Sequence, residues 1–181
     1  MKITPLKIDG LYLVEPVVHQ DSRGFFLESY NEDAFLKNGL DYRFVQDNHS
    51  LSCEAGVIRG LHYQLNPKAQ TKLVRVTAGA IYDVAVDIRK ESKTFGQWIG
   101  VILSKENKRQ LLVPKGFAHG FCTLITNTQV MYKVDNYYSP EHDRGIVWND
   151  KDLNIDWPVS NPILSEKDKN HPEFRNSEIN F

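Results

Sequence analysis

Two histidines, His62 and His119, sit inside short apolar runs, and an imidazole with an ordinary pKa of about 6.5 can take up and return a proton at physiological pH. His62 lies in Val57-Ile58-Arg59-Gly60-Leu61-His62-Tyr63-Gln64, and His119 in Val113-Pro114-Lys115-Gly116-Phe117-Ala118-His119-Gly120-Phe121. Asp83, inside Ile81-Tyr82-Asp83-Val84-Ala85-Val86-Asp87, is an acid that could orient an imidazole. Tyr132 offers a weak acid, and Lys72 a cation able to stabilise an oxyanion in an apolar pocket. Base, acid and oxyanion stabiliser together fit proton abstraction from a carbon next to a carbonyl. Arg23 and Arg59 are candidates for holding an anion, because guanidinium forks match phosphate oxygens. Phe26, Tyr137 and Tyr138 could stack on a planar base.

Each of these residues also has a plainer reading. A lone histidine is more often a core residue satisfied by hydrogen bonds, a lone arginine a surface charge, and an aromatic a packing group. Asp83 and Asp87 share a parity, so alternation does not choose between them. As a set they favour function, since Lys and Glu are rarely buried without a partner.

The elements that must position these groups are strands. Runs bounded by turn residues occur at 11–18, 25–30, 43–50, 57–64, 71–78, 80–88, 96–103, 110–113, 117–125 and 129–137, and such spacing indicates a β-sandwich or barrel. Gly79 and Ile125-Thr126-Asn127-Thr128 read as hairpin turns. Helix is scarce: Asn31 can cap a short helix running to Asn38, with Gly39 as its stop. Beyond Pro158 the chain is polar and broken by prolines, so 158–181 reads as an irregular tail or short helices with loose last residues. Alternation groups Glu28 with Phe26, Lys72 with Val74 and Val76, His119 with Phe117 and Phe121, Tyr132 with Val130 and Val134, and Gln46 and Asn48 with Phe44. If those faces point inward, the barrel holds a mostly apolar pocket with a few placed polar groups. Arg59 and His62 fall on opposite parities unless Gly60 permits a bulge.

With 181 residues, one domain spanning 1–181 is the natural count, and 22 Lys plus Arg against 23 Asp plus Glu give a net charge of -1. That balance argues against binding nucleic acid through bulk charge, so any anion site is local. No run is apolar and long enough for a membrane span or a signal peptide, which points to a soluble, cytoplasmic protein. Cys53 and Cys122 lie in unlike contexts with no CxxC spacing, and read as reduced thiols.

The Pro114-x-Gly116-x-x-His119 pattern resembles the second motif of the cupin superfamily. A metal cupin also carries H-x-H and a spaced glutamate in its first motif. This chain has His62-Tyr63-Gln64 there and no such glutamate, so no metal and no cofactor are expected.

The ordered motifs Asp21 to Glu28, Gln46 to Ser50, Arg59 to Gln64, Lys72 to Val76, Asp83 to Arg89, Ser92 to Trp98, Val113 to Phe121, Tyr132 to Pro140, Gly145 to Asp150 and Leu164 to Asp168 cover nearly the whole chain. Together they resemble the dTDP-4-dehydrorhamnose 3,5-epimerase family. The resemblance implies an all-β, cupin-like jelly roll, assembled as a homodimer whose N-terminal strands exchange so that Arg23, Phe26 and Glu28 reach the partner's site. It implies that His62 is the base acting at C3 and C5 of dTDP-4-dehydro-6-deoxy-D-glucose, that Lys72 stabilises the enolate oxygen, and that Tyr132 returns the proton from the opposite side. Asp168 would orient the base, and Asp83 would pair with His119. Arg23, Glu28, Gln46, Asp47, Asn48, Arg59, His119 and Lys167 match the family's substrate contacts, and Tyr138 joins them as a stacking candidate. Asp143 stands where a glutamate is more usual, with Glu141 as a possible substitute. Competing readings are a single-centre epimerase acting on a related nucleotide 4-keto sugar and a non-catalytic sugar-binding module.

Overall fold

The computed structural model describes all 181 residues. Its strands, in chain order, are β1 (Lys2–Pro5), β2 (Tyr12–Glu15), β3 (Val18–Asp21), β4 (Gly24–Leu27), β5 (Gln46–Ser52), β6 (Ile58–Gln64) and β7 (Lys72–Ala78). They continue as β8 (Ala80–Asp87), β9 (Trp98–Ser104), β10 (Gln110–Val113), β11 (Phe117–Thr123), β12 (Thr128–Val134) and β13 (Asp143–Gly145). The helices are α1 (Glu32–Leu36) and α2 (Glu166–Lys169), with a 3-10 turn at Phe174–Asn176.

Two antiparallel sheets form a sandwich, as the strand pattern implied. One has the order β1-β2-β10-β7-β12-β5, the other β13-β6-β11-β8-β9, and β3 and β4 form a separate two-stranded ribbon. The five-stranded sheet is covered on both faces at its centre, which is why β11 is buried along its whole length. The inner core joins Val74, Val76, Leu111 and Val130 of the first sheet to Ile81, Leu103, Phe117 and Phe121 of the second. The outer face of the five-stranded sheet buries Ile58, Leu61, Val84, Val86 and Ala118 under Ile146, Leu153, Trp157 and Ile179 from the C-terminal segment. The outer face of the other sheet packs Leu73 and Leu112 against Phe35 of α1. Asn31 caps that helix, accepting a hydrogen bond from Ala34 N at 3.0 Å. Each fully buried aliphatic side chain in these layers is worth roughly 1.5–3 kcal/mol of transfer free energy.

Several expectations change. The chain passes Gly79 from β7 to β8 and passes Ile125-Thr126-Asn127-Thr128 from β11 to β12, and in each case the two strands belong to different sheets. Both turns are corners of the sandwich, not hairpins: β7 bonds to β10 and β12, while β8 bonds to β9 and β11. The run 11–18 splits at Pro16, which has no N–H for a ladder. β1 and β13 lie outside every run that alternation picked out. The tail is anchored to its end: Ile179 is buried, Asn180 Oδ1 accepts from Asn66 N at 3.0 Å, and Phe181 O accepts from Lys90 N at 3.2 Å. Cys122 is buried, Cys53 is exposed, and neither is in a disulfide. No helix is long and apolar enough to cross a membrane.

Candidate active site

A cleft opens between the sheets, and its opposite walls come from different sheets. β6 and β11 present His62 and His119, while β7 and β12 present Lys72 and Tyr132. Two adjoining hollows of about 410 and 390 Å³ share His62, Lys72, Tyr132 and Lys167. The first also takes in Arg59, His119, Phe121 and Asp168, and the second Gln46, Asn48, Tyr138 and Asp143.

Arg59 and His62 both reach the cleft because β6 is irregular at Gly60. The pairing of β6 with β11 shifts register between His119↔His62 and Phe121↔Arg59, so one extra residue is accommodated. Gly60 has φ +127°, and a Cβ there would lie 2.5 Å from Gly120 Cα. Only glycine fits both the backbone angle and the close approach. The Arg59 guanidinium is braced by Ser52 Oγ at 3.2 Å and Leu51 O at 3.1 Å.

His62 Nε2 donates to Asp168 Oδ1 at 2.5 Å, and Ser165 Oγ donates to Asp168 Oδ2 at 2.8 Å. Ser165 also caps α2, accepting from Asp168 N at 3.1 Å, so one short helix fixes the carboxylate. Burial pushes the Asp168 carboxyl up, but the neighbouring His171 imidazole and hydrogen bonds from His62 and Ser165 outweigh it and hold the group well below the usual carboxylate range. With its Nε2 proton on an ionised carboxylate, His62 keeps a lone pair on Nδ1, the arrangement a base requires. Burial lowers the His62 pKa, and the nearby charges of Lys72 and His171 add to that, against the pull of Asp168.

Lys72 donates to His62 O at 3.4 Å. Burial pushes its pKa down to about 8, opposed by Asp143 and Asp83. Burial raises the Tyr132 phenol, so it stays protonated at neutral pH. In the cleft wall, His119 Nε2 donates to Asp83 Oδ1 behind it at 2.8 Å, and both residues are buried. Asp87, the other acid of that parity, is also buried but binds Arg89, Ser92 and Thr94. Asp143 Oδ2 meets Lys167 Nζ and accepts from Tyr138 Oη at 3.0 Å. Asp143, not the exposed Glu141, therefore lines the cleft.

Four expected contacts lie elsewhere in this chain. Asp47 points to the other face of β5, between the inward Gln46 and Asn48, and pairs with Lys133 at 2.9 Å. Strand alternation forces that, so the expectation of Asp47 in the cleft is corrected. Arg23 and Phe26 lie on the exposed β3–β4 ribbon, where Arg23 pairs with Asp21, and Glu28 follows it, exposed.

Sequence reasoning missed His171. Its Nε2 lies 3.5 Å from Asp168 Oδ1, and its ring meets that of His62 edge-on with centroids 5.4 Å apart. His171 lies just past the four-residue helix that carries Asp168, where no periodicity marks it.

The family model described as dTDP-4-dehydrorhamnose 3,5-epimerase matches residues 5–176. A curated protein of that name from Shigella flexneri is 55% identical over 175 residues, covering 96% of each chain. A crystal structure of dTDP-4-dehydrorhamnose 3,5-epimerase from Bacillus anthracis with TDP and PPi bound superposes with a TM-score of 0.93 at 60% identity, covering 95% of this chain and 98% of that one. A dTDP-6-deoxy-D-glucose-3,5-epimerase from Legionella pneumophila, in complex with dTDP-4-keto-L-rhamnose, gives 0.92 at 48% identity, covering 97% and 93%.

Proposed function

This chain belongs to the dTDP-4-dehydrorhamnose 3,5-epimerase family, and from that premise we propose that it converts dTDP-4-dehydro-6-deoxy-D-glucose to dTDP-4-dehydro-L-rhamnose by inverting C3 and C5. The observation that carries the reading is His62 on one sheet, held by Asp168 of α2 at 2.5 Å and facing Lys72 and Tyr132 on the other sheet. Inversion needs a base on one side of the sugar ring and an acid on the other. Two sheets that each supply one of them meet that need.

In each half of the reaction His62 Nδ1 takes the proton from the carbon beside the C4 carbonyl. The C–H electron pair becomes the enolate, and the charge on its oxygen is stabilised by the Lys72 ammonium. As the carbonyl reforms, the Tyr132 hydroxyl delivers a proton to the opposite face, and before the next half the His62 imidazolium releases its proton to solvent and the Tyr132 phenolate takes one up. Asp168 holds the base in its reactive tautomer, and the His119–Asp83 pair supports the wall beside it. Arg59, Gln46, Asn48, Tyr138, Asp143 and Lys167 act as substrate contacts along the cleft.

The working unit is a single cupin-like domain that pairs as a homodimer in the cytoplasm. Val18, Phe25 and Phe26 are 38%, 59% and 68% exposed, an apolar display on a two-stranded ribbon that suits insertion into a second copy. In that reading Arg23, Phe26 and Glu28 complete the partner's site.

Incubation with substrate in deuterated water tests the function. Deuterium at both C3 and C5 is the expected result. Label at C3 alone identifies a single-centre epimerase, and binding without exchange identifies a sugar-binding module.

A further inference from the structure

The second histidine on Asp168 has no part in that proton transfer, yet the fold makes room for it. Its Nε2 is buried, has no hydrogen-bond partner and points at the Asp168 carboxylate. A Cβ at residue 145 would lie 2.4 Å from that same Nε2, so the glycine where β13 pairs with His62 of β6 leaves the space the His171 ring occupies. The donor atoms of His62, Asp168 and His171 all lie within 4.8 Å of one another.

We propose that His62 Nε2, an Asp168 carboxylate oxygen and His171 Nε2 form a site for a divalent transition-metal ion, zinc above all, and that filling it switches the base off. Two imidazoles and one carboxylate are a zinc donor set, whereas magnesium and calcium prefer oxygen ligands alone. Bonds of about 2.0–2.2 Å in a tetrahedron put neighbouring donors roughly 3.3–3.5 Å apart. The His171–Asp168 separation of 3.5 Å already matches. The His62–Asp168 pair, at 2.5 Å, has to open by about 1 Å once no proton is shared between the two atoms. Three protein ligands leave the fourth position to water. These ligands differ from the His62 and His119 pairing that a cupin-type metal centre would use.

The consequence follows from proton balance. Before binding, neutral His62 carries its proton on Nε2 and a lone pair on Nδ1. A metal bound through Nε2 takes that nitrogen's lone pair, so the proton moves to Nδ1 and none is released. The nitrogen that would receive the substrate proton becomes a donor. The inhibition rests on the proposed role of His62 as base, and the binding does not.

Calorimetric titration of the metal-free protein with zinc chloride, and with magnesium chloride as control, tests the site in wild type, His171→Ala and His171→Phe. The Phe variant refills the space without a donor atom, and circular dichroism verifies the fold of each. One zinc per chain is expected in wild type, with affinity weakened by more than about 10-fold in both variants, and no magnesium binding. Turnover of wild type should fall with zinc occupancy and return with EDTA, while each variant, scaled to its own metal-free rate, resists zinc. Absence of zinc binding, or equal affinity in wild type and a folded variant, overturns the site. Zinc binding that depends on His171 but leaves turnover unchanged upholds the site and overturns His62 as the base.

Discussion

His62 Nε2 and Asp168 Oδ1 meet at 2.5 Å although 106 positions separate them in the chain. The contact ties β6 of the sandwich to the C-terminal segment, so the reactive tautomer depends on how that tail docks. Asp168→Asn removes the charge that holds the proton on Nε2. A fall in kcat of about 10²–10⁴-fold is expected, with a smaller change in KM, because the loss falls on proton transfer rather than on binding. Steady-state kinetics, with circular dichroism to show the tail still docked, checks this. A variant with near wild-type kcat would remove Asp168 from its role.

The rate should have two limbs against pH. Burial lowers the His62 pKa, so the base stays neutral, and kcat/KM holds, to a pH below the ordinary histidine value before protonation cuts the rate. Lys72, at about 8, loses its proton and its stabilising charge as pH rises through that value, which sets the alkaline limb. Tyr132 is shifted upward and does not set that limb. In Lys72→Arg, whose guanidinium stays charged, the alkaline limb should move upward even if the rate itself drops. An unmoved limb in that variant would assign it to another group.

Tyr132→Phe separates the two halves of each inversion. The base remains on the opposite sheet, so hydrogen at C3 and C5 should still exchange with deuterated water. Epimer formation should fall by about 10²-fold or more, since general acid catalysis is worth about that much. Mass and proton spectra of recovered substrate read exchange and inversion separately. Equal loss of both would place Tyr132 in binding instead of proton return.

Much of this site was legible from alternation, which settles the face a side chain occupies and nothing further. Parity grouped Lys72, His119 and Tyr132 with core residues, and the structure puts all three in the cleft. It could not tell which strand bonds to which, so the corners at Gly79 and at 125–128 read as hairpins. Asp47 shows the reverse case: a motif match suggested a contact that alternation on β5 sends outward. Asp168 came from the family resemblance alone, because a helix of four residues carries no periodic signal. His171 was invisible, since its meaning comes from Gly145 leaving space beside it.

A shared site can be tested by mixing two inactive proteins. Arg23→Ala damages the ribbon and leaves its own cleft intact, while His62→Ala does the opposite. If ribbons exchange between copies, a mixed dimer holds one site with both defects and one with neither. Denaturing and refolding the two together should restore about a quarter of the wild-type sites, from statistical pairing in a two-fold dimer. No recovery above the sum of the separate variants would confine the site to one chain.

Asp87 offers a measurement of stability that does not touch the cleft. Its carboxylate accepts from Arg89 Nη2 at 2.7 Å, Ser92 Oγ at 2.6 Å and Thr94 Oγ1 at 2.6 Å, and no part of its side chain is exposed. Burial alone would push its pKa up, but these donors bring it down to about 2. A folded value below the unfolded one, about 3.9, means the ionised form stabilises the fold above pH 4 and that this stabilisation is lost as pH falls toward 2. The difference corresponds to about 2–3 kcal/mol. Asp87→Asn should therefore lower the urea-unfolding free energy by about that much at pH 7, and the gap from wild type should narrow between pH 4 and 2. Activity should fall far less than for Asp168→Asn, because Asp87 braces the loop after β8 and does not line the cleft. A gap that stays constant across that pH range would show that packing, not ionisation, is what Asp87 contributes.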